Sequence, residues 1–513
     1  MQSLLIGKRL LYHYCEGIRP PPGLKVVMKN EAFVSLICDL HSSNIADHSH
    51  SHVLMIYYET AVRYYPVYKQ RKDLLEKILA EITGQRGLQH PDALVRSRSS
   101  YLLLRLVKSL GGTNNPVLRP YVETAITGIL GLLGNASIQL RTDDKLYLFE
   151  TVGLLLGKTG LPAEQQKQYL TQVLSPHVSY VKGLLEQKQA ITNDPETYVS
   201  IFSGSIAAIA FLTKGFKDPG ELVQSVFLDT MELVHESLAT MSFSAEVRNK
   251  TFIFLQRLIQ VVGKRVLPIM HQFLHILVSS GTEEDTLDLA QLFNQLSVRF
   301  KEEAVPSIDN SLVPFMDKCL SITMKIQSET SLEAGHVRTE QLSHAKLTYS
   351  VMQHISANQA TGVLLTPTNL PHLEKVLKNM LHGAVYVEEY VMKKTSIMFF
   401  RDLAVQWLGS TGEVPLEVST GFLQFLCTMV VPGVLQSFLL EDFNGEDANQ
   451  FRCIAEFASL LSNLAKVHPE AFQTPLLTGL IASNGSTPST PGQKEIEVKL
   501  KEWIASQRIK PMP

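Results

Sequence analysis

The chain has 513 residues, of which 45% are hydrophobic and 19% charged, a folded composition with ample material for a core. Its 47 Lys and Arg stand against 49 Asp and Glu, a formal net charge of −2. That balance excludes a nucleic-acid binder acting by bulk charge, so any polyanion must be met by a local cationic surface. Five cysteines (Cys15, Cys38, Cys319, Cys427 and Cys453) are scattered without a CxxC pair, which excludes a disulfide framework and a Cys-type zinc site.

The opening MQSLLIGKRLLYHYCEGI lacks the basic n-region and cleavage site of a secretory leader and reads as an amphipathic helix entered part-way. Leu4, Leu5, Leu10 and Leu11 are its candidates for a face that an earlier helical repeat would cover. Helix then follows helix, at residues 31–42, 53–64, 73–83, 92–110, 117–133 and 144–157. The pattern continues near 162–190, 195–214, 219–239, 244–262, 266–279, 284–299, 311–328, 333–356, 369–382, 386–408, 416–440 and 447–466. Gly and Pro sit at the breaks, as in LPAEQ, DPGEL and LTPTNL, and alternating strand patterns are essentially absent. Residues 422–440, FLQFLCTMVVPGVLQSFLL, carry no charge, but Pro432-Gly433 interrupts them. Two core half-helices meeting at that turn are expected rather than membrane insertion. Residues 482–492, ASNGSTPSTPG, read as a polar linker. Beyond it, residues 493–513 form an expected capping helix, with Ile496, Leu500, Trp503 and Ile504 on one side.

The segment 92–110, DALVRSRSSYLLLRLVKSL, predicts a two-faced helix. Val95, Ser99, Leu102, Leu103, Leu106 and Leu110 form a face for burial, and Arg98, Tyr101, Arg105 and Lys108 form a cationic stripe. A second copy starts at Ala245, where Val247-Arg248 aligns on Val95-Arg96, Lys250 on Arg98, Leu255 on Leu103 and Arg257 on Arg105. The copies lie 152 residues apart, four units of 38. That period marks stacked helix pairs of the HEAT or armadillo kind. The expected fold is therefore all-α, a HEAT-like helical-repeat solenoid (an α-α superhelix) over residues 1–481. Arg98, Arg105, Lys108, Lys250 and Arg257 are the candidate nucleic-acid-binding residues, placed on equivalent helix faces to follow a phosphate backbone. The competing reading is that they solvate the helices or pair with acids of neighbouring repeats. Lys69, Arg71 and Lys72 cluster ahead of the first copy.

Catalytic signatures are missing: there is no GxxxxGK[ST], HExxH, GxSxG or GxGxxG after a strand. GLLLGKT at residues 153–159 is one residue short of a phosphate loop and lies in an apolar helix. Asp47, His48, His50 and His52 alternate in a polar loop and read as a solvated loop tip rather than a metal site. No enzyme, metal or cofactor is expected.

Several segments carry a family resemblance. LYHYCEGI, YYETAVRYYP, VRSRSSYLLLRLVKSL, DDKLYLFETVGLLLGKTGLPAEQQ, VGKRVLPIM and the terminal LKEWIASQRIKPMP resemble, collinearly, the exportin-T family of the importin-β superfamily. The resemblance implies a nuclear export receptor that binds tRNA together with RanGTP and reads tRNA by shape and phosphate backbone. It implies passage through the nuclear pore with pore components as partners, and shuttling between nucleus and cytoplasm. It covers the family's C-terminal arch, so the main Ran contacts are expected in a preceding half that has no counterpart here. The alternative is a HEAT-repeat scaffold that binds proteins without nucleic-acid cargo.

Overall fold

A computed structural model of the chain describes residues 2–17, 23–48, 50–111, 116–135, 137–329, 334–387, 389–409, 414–440 and 443–468. The expected linker at 482–492 and terminal helix at 493–513 lie outside the described residues, as do the side chains of Leu4 and Leu5. The chain divides into two compact units, Met1–Val266 and Leu267–Pro513. Among the described residues every regular element is helical.

The first unit runs α1 (Gln2–Gly17), α2 (Gly23–Val27), α3 (Glu31–Ser42), α4 (Ser51–Arg63), α5 (Lys72–Thr83), α6 (Ala93–Leu110) and α7 (Val122–Leu133). It continues with α8 (Thr142–Lys158), α9 (Ala163–Leu185), α10 (Lys188–Asn193), α11 (Pro195–Thr213), α12 (Glu221–Thr240) and α13 (Ala245–Val262). One layer is the series α1, α4, α6, α8, α11 and α13, each packed on the next. The other holds α3, α5 and α7 in series, and then α9 against α12. Helices α4, α6 and α8 of the first layer run parallel, because cross-helix contacts rise together along both partners: Ser51 to Asp92 and Glu59 to Arg98, then Ser97 to Asp144 and Lys108 to Glu150. This is the stacking that a repeat near 40 residues demands, since no single helix pair can bury its apolar face alone.

Local chemistry sets the ends of the two related helices. Asp92 caps α6 by accepting the Leu94 N–H at 2.9 Å, and Ser244 caps α13 by accepting the Val247 N–H at 3.4 Å. Gly263 ends α13 at φ 67°, a conformation that costs glycine nothing. The face predicted for burial in α6 is buried throughout, and Ser100, Leu104 and Val107 join it. The buried surface is wider than one amphipathic stripe because α6 is covered by α4 on one side and α8 on the other. On α1, Leu10 is 68% exposed and Leu11 is half-buried, with Ile6 and Tyr14 exposed alongside Leu10.

The second unit comprises α14 (Leu267–Ser280), α15 (Thr286–Phe300), α16 (Val305–Glu329), α17 (Ala334–Ala357), α18 (Leu373–Val385), α19 (Tyr390–Gly409), α20 (Leu416–Phe425), α21 (Val431–Phe438) and α22 (Ala448–Val467). Here α14 packs on α16, α15 and α16 on α17, α17 on α19, and α19 on α22. Helix α16 begins six residues before the expected 311, because Pro306 sits in its first turn, where a missing N–H costs nothing. A second correction concerns residues 422–440. No turn forms at Pro432-Gly433; α20 and α21 join through a π-helical turn at Leu426–Val430. The wider turn accommodates Pro432, which cannot donate to the carbonyl four residues back and would clash with it in a regular α-helix. Leu416–Phe438 is one of three helices among the described residues long and apolar enough to cross a membrane by length and composition, and 39% of its most apolar window is buried in its own chain.

Candidate nucleic-acid interface

The shared Val-Arg register of α6 and α13 proves to be a structural device before it is a binding one. Arg96 folds back onto the carbonyls of His90 at 2.8 Å and Pro91 at 2.7 Å, and bridges to the Gln139 carbonyl at 3.1 Å. Its counterpart Arg248, only 1% exposed, donates to the Ser242 carbonyl at 2.8 Å. In both copies the guanidinium reaches the residue six positions earlier and fastens the preceding loop to the helix.

The five candidate cations fall into different environments. Arg98 is half-buried and donates from Nε to Glu59 of α4 at 2.8 Å, with its guanidinium 5.3 Å from the Tyr101 ring centroid. Tyr101 in turn meets Tyr147 of α8 edge-on at 5.7 Å. Arg105 is exposed and has no ion-pair partner among the described residues. Lys108 is bound to Oε1 of Glu150. Lys250 and Arg257 are half-buried on α13. Pairing with acids of neighbouring repeats thus accounts for Arg98 and Lys108. It leaves Arg105 open to solvent one helical turn from Lys108. Of the preceding basic cluster, Arg71 is engaged by Asp73 at 2.6 Å, while Lys69 and Lys72 are exposed.

The structure adds two residues that sequence reasoning missed. Glu150, 5% exposed on α8, holds Lys108 of α6 on one oxygen and Lys214, which caps the C-terminus of α11, on the other at 3.0 Å. Burial would raise the Glu150 carboxyl, but the two lysines outweigh it and hold it below the ordinary glutamate value. Burial pulls Lys214 below the ordinary lysine value against the opposing pull of Glu150, and Arg257 and Lys108 push it further down. Lys214 therefore feels Arg257 of α13 as well as Lys108 of α6. Two lysines with one acid at their base thus join α6, α8 and the end of α11, three consecutive members of the layer.

Glycines permit this approach. A Cβ on Gly153 would stand 2.1 Å from the Leu212 carbonyl oxygen, and one on Gly215 would stand 1.9 Å from Gly153. Backbone thus meets backbone where α8 passes the end of α11. These are the glycines of GLLLGKT and of LTKGF, and that spacing was the available signal. GLLLGKT serves helix packing and not a phosphate loop.

The histidines at 48–52 serve the backbone. Nδ1 of His48 accepts the His50 N–H at 3.1 Å, and Nδ1 of His50 accepts the His52 N–H at 3.3 Å at the start of α4. Asp47 pairs with Arg86. Among the described residues no group of three or more His, Cys, Asp or Glu could hold a metal ion. Cys38, Cys319, Cys427 and Cys453 are free and buried.

Comparison with known proteins matches residues 9–491 to the family model described as Exportin-T. Exportin-T of Homo sapiens is 26% identical over 491 residues, covering 91% of this chain and 49% of that protein. Exportin-T of Arabidopsis thaliana is 24% identical over 472 residues, covering 88% and 46% respectively. The chain spans about half the length of the curated relatives it matches. Among solved structures, importin 13 in its cytosolic state shares the fold with a TM-score of 0.56 at 13% identity, over 92% of this chain and 52% of that one. The helical layers and the likeness to importin 13 show an importin-type HEAT-repeat fold, and the match over 9–491 shows that this chain belongs to the exportin-T family.

Proposed function

We propose that the chain binds tRNA by its phosphate backbone through the first-layer cations of its first unit, as the C-terminal arch of a receptor that carries tRNA from nucleus to cytoplasm with RanGTP. The observation that carries this reading, in a chain of the exportin-T family, is the pair Lys108 and Lys214 meeting on Glu150, with Arg105 open one turn from Lys108 and Arg257 within electrostatic reach of Lys214, in a protein of net charge −2. Charge gathered on consecutive repeats suits a curved polyanion recognised by shape, with little dependence on base sequence. Arg98 and Lys250, further toward the N-terminal ends of α6 and α13, extend the same faces. RanGTP and nuclear pore components are further partners, and the protein shuttles between nucleus and cytoplasm. The alternative is a helical-repeat scaffold that binds proteins only.

The test is the binding of several unrelated labelled tRNAs by an R105A/R257A variant across a salt series, with circular dichroism confirming the fold. Each lost phosphate contact lowers the salt slope by about 0.7 to 0.9 and weakens all tRNAs alike. An unchanged slope removes these residues from the interface. No salt-dependent tRNA binding by the unaltered chain leaves the protein-scaffold reading.

A further inference from the structure

Glu150 is an unusual group for a cationic surface: a nearly buried acid beneath one exposed and one half-buried lysine. Its side chain is 6% exposed, while those of Lys108 and Lys214 above it are 44% and 21% exposed. Each carboxylate oxygen takes a different lysine, and the lysines come from the helices on either side of α8. An ammonium carries three donors, so each lysine keeps N–H groups for solvent or ligand after bonding Glu150. Lys214 is fixed further by the Phe211 ring, 3.4 Å from Nζ. An anion approaching from solvent meets the ammonium heads and not the carboxylate. Two cations face this one acid, and Arg257 lies within electrostatic reach of Lys214.

We propose that Glu150 is a positioning residue that holds Lys108 and Lys214 as a fixed pair of ammonium donors for one phosphate group bridging α6 and α11. The proposal rests on the tRNA reading for its natural ligand. A free lysine loses most of its rotamer freedom on binding, whereas these two have already lost it in the unliganded protein. Packing of α8 on α11 does not depend on the carboxylate, since Gly153, Gly157 and Gly215 and the buried Leu148, Leu154 and Leu155 supply it. Glutamine at 150 keeps the shape but accepts from one lysine only, and its amide opposes the other. The charged groups acting on Lys214 are Glu150 of α8, Arg257 of α13 and Lys108 of α6. Without the carboxylate the two cations and burial act unopposed, and Lys214 gives up its proton at lower pH.

The test uses the full chain with two probes, inorganic tripolyphosphate and labelled tRNA, in wild type, E150Q, K108M and K214M. Lysine signals from selectively labelled protein are followed by NMR. In wild type, tripolyphosphate shifts the Lys108 and Lys214 signals together. E150Q binds it about tenfold more weakly, the equivalent of one lost charge-assisted bond, and the deficit widens as pH rises from neutral because Lys214 discharges early. The salt slope for tRNA falls by about 0.8 in E150Q. Wild-type affinity and pH profile in E150Q overturn the positioning role, and wild-type tripolyphosphate binding by K108M and K214M overturns the site. Lys108 is exposed and Lys214 half-buried, so K108M, which removes only an exposed head, decides the question even if E150Q or K214M fails to fold. Tripolyphosphate bound through the pair without any tRNA binding supports this inference and removes the tRNA reading. Normal tRNA binding by all three variants overturns this inference alone.

Discussion

Alanine at Gly153 and at Gly204 should move stability in opposite directions, although both glycines lie inside helices of the same layer. At an open helical position alanine is favoured over glycine by about 1 kcal/mol, because glycine loses more backbone freedom on folding. Gly204 is such a position: a Cβ there would meet nothing within 4 Å. At Gly153 the new carbon would lie 2.1 Å from the Leu212 carbonyl oxygen and 2.9 Å from its carbon, where an ordinary contact begins at 3.4 Å. The obstacle is backbone of α11, so no rotamer change relieves it and the helices must separate by more than an ångström. Overpacking of this kind costs up to about 3 kcal/mol. Subtracting the propensity gain leaves a net loss of about 2 kcal/mol. For a unit of this size that lowers the melting midpoint by about 4–8 °C. Thermal and urea unfolding of the full chain, followed by circular dichroism, measures the change, and hydrogen exchange localises it to α8 and α11. G153A should also loosen the Lys214–Glu150 bond one turn away. Wild-type stability for G153A, or a loss for G204A as large as that for G153A, refutes the close-contact argument.

Two further outcomes follow from buried charges. R248M removes the bond that ties the Ser242 carbonyl to α13; it should cost about 2 kcal/mol in urea unfolding and speed amide exchange at residues 241–245. Glu150 has its carboxyl depressed in the folded protein, so its contribution is fully present above the ordinary glutamate range and is lost as pH falls through the depressed value. The stability advantage of wild type over E150Q, measured by urea midpoint, should accordingly hold at neutral pH and shrink in acid. An advantage that grows on acidification contradicts the depressed carboxyl.

Much of the fold was written into local patterns. The ends of α3, α5, α6, α11 and α13 fall within two residues of expectation, because capping residues, proline and apolar periodicity act over one or two helical turns and need no partner. The repeat relation between α6 and α13 was readable for the same reason, down to the shared Val-Arg pair, whereas the fastening of each preceding loop by its arginine was not. The burial of Val95, Ser99, Leu102, Leu103, Leu106 and Leu110 followed from spacing alone.

What the tertiary structure decided is which charges meet. Helical periodicity placed Arg98, Arg105 and Lys108 on one stripe but carried no information on the acids of the helices beside it. Only the parallel stacking of α4, α6 and α8 sets Glu59 against Arg98 and Glu150 against Lys108, leaving Arg105 open. Lys214 escaped notice because its partners lie 64 residues away at Glu150 and beyond, brought within reach by glycine contacts between backbones. The π-turn before Pro432 was equally hidden, since a proline after an apolar run is compatible with a break or with a widened helix, and the packing of neighbouring helices chooses between them. Elements arise from interactions a few residues apart, which a linear pattern records; a binding surface arises from side chains on separate repeats, whose spacing exists only once the layers are packed.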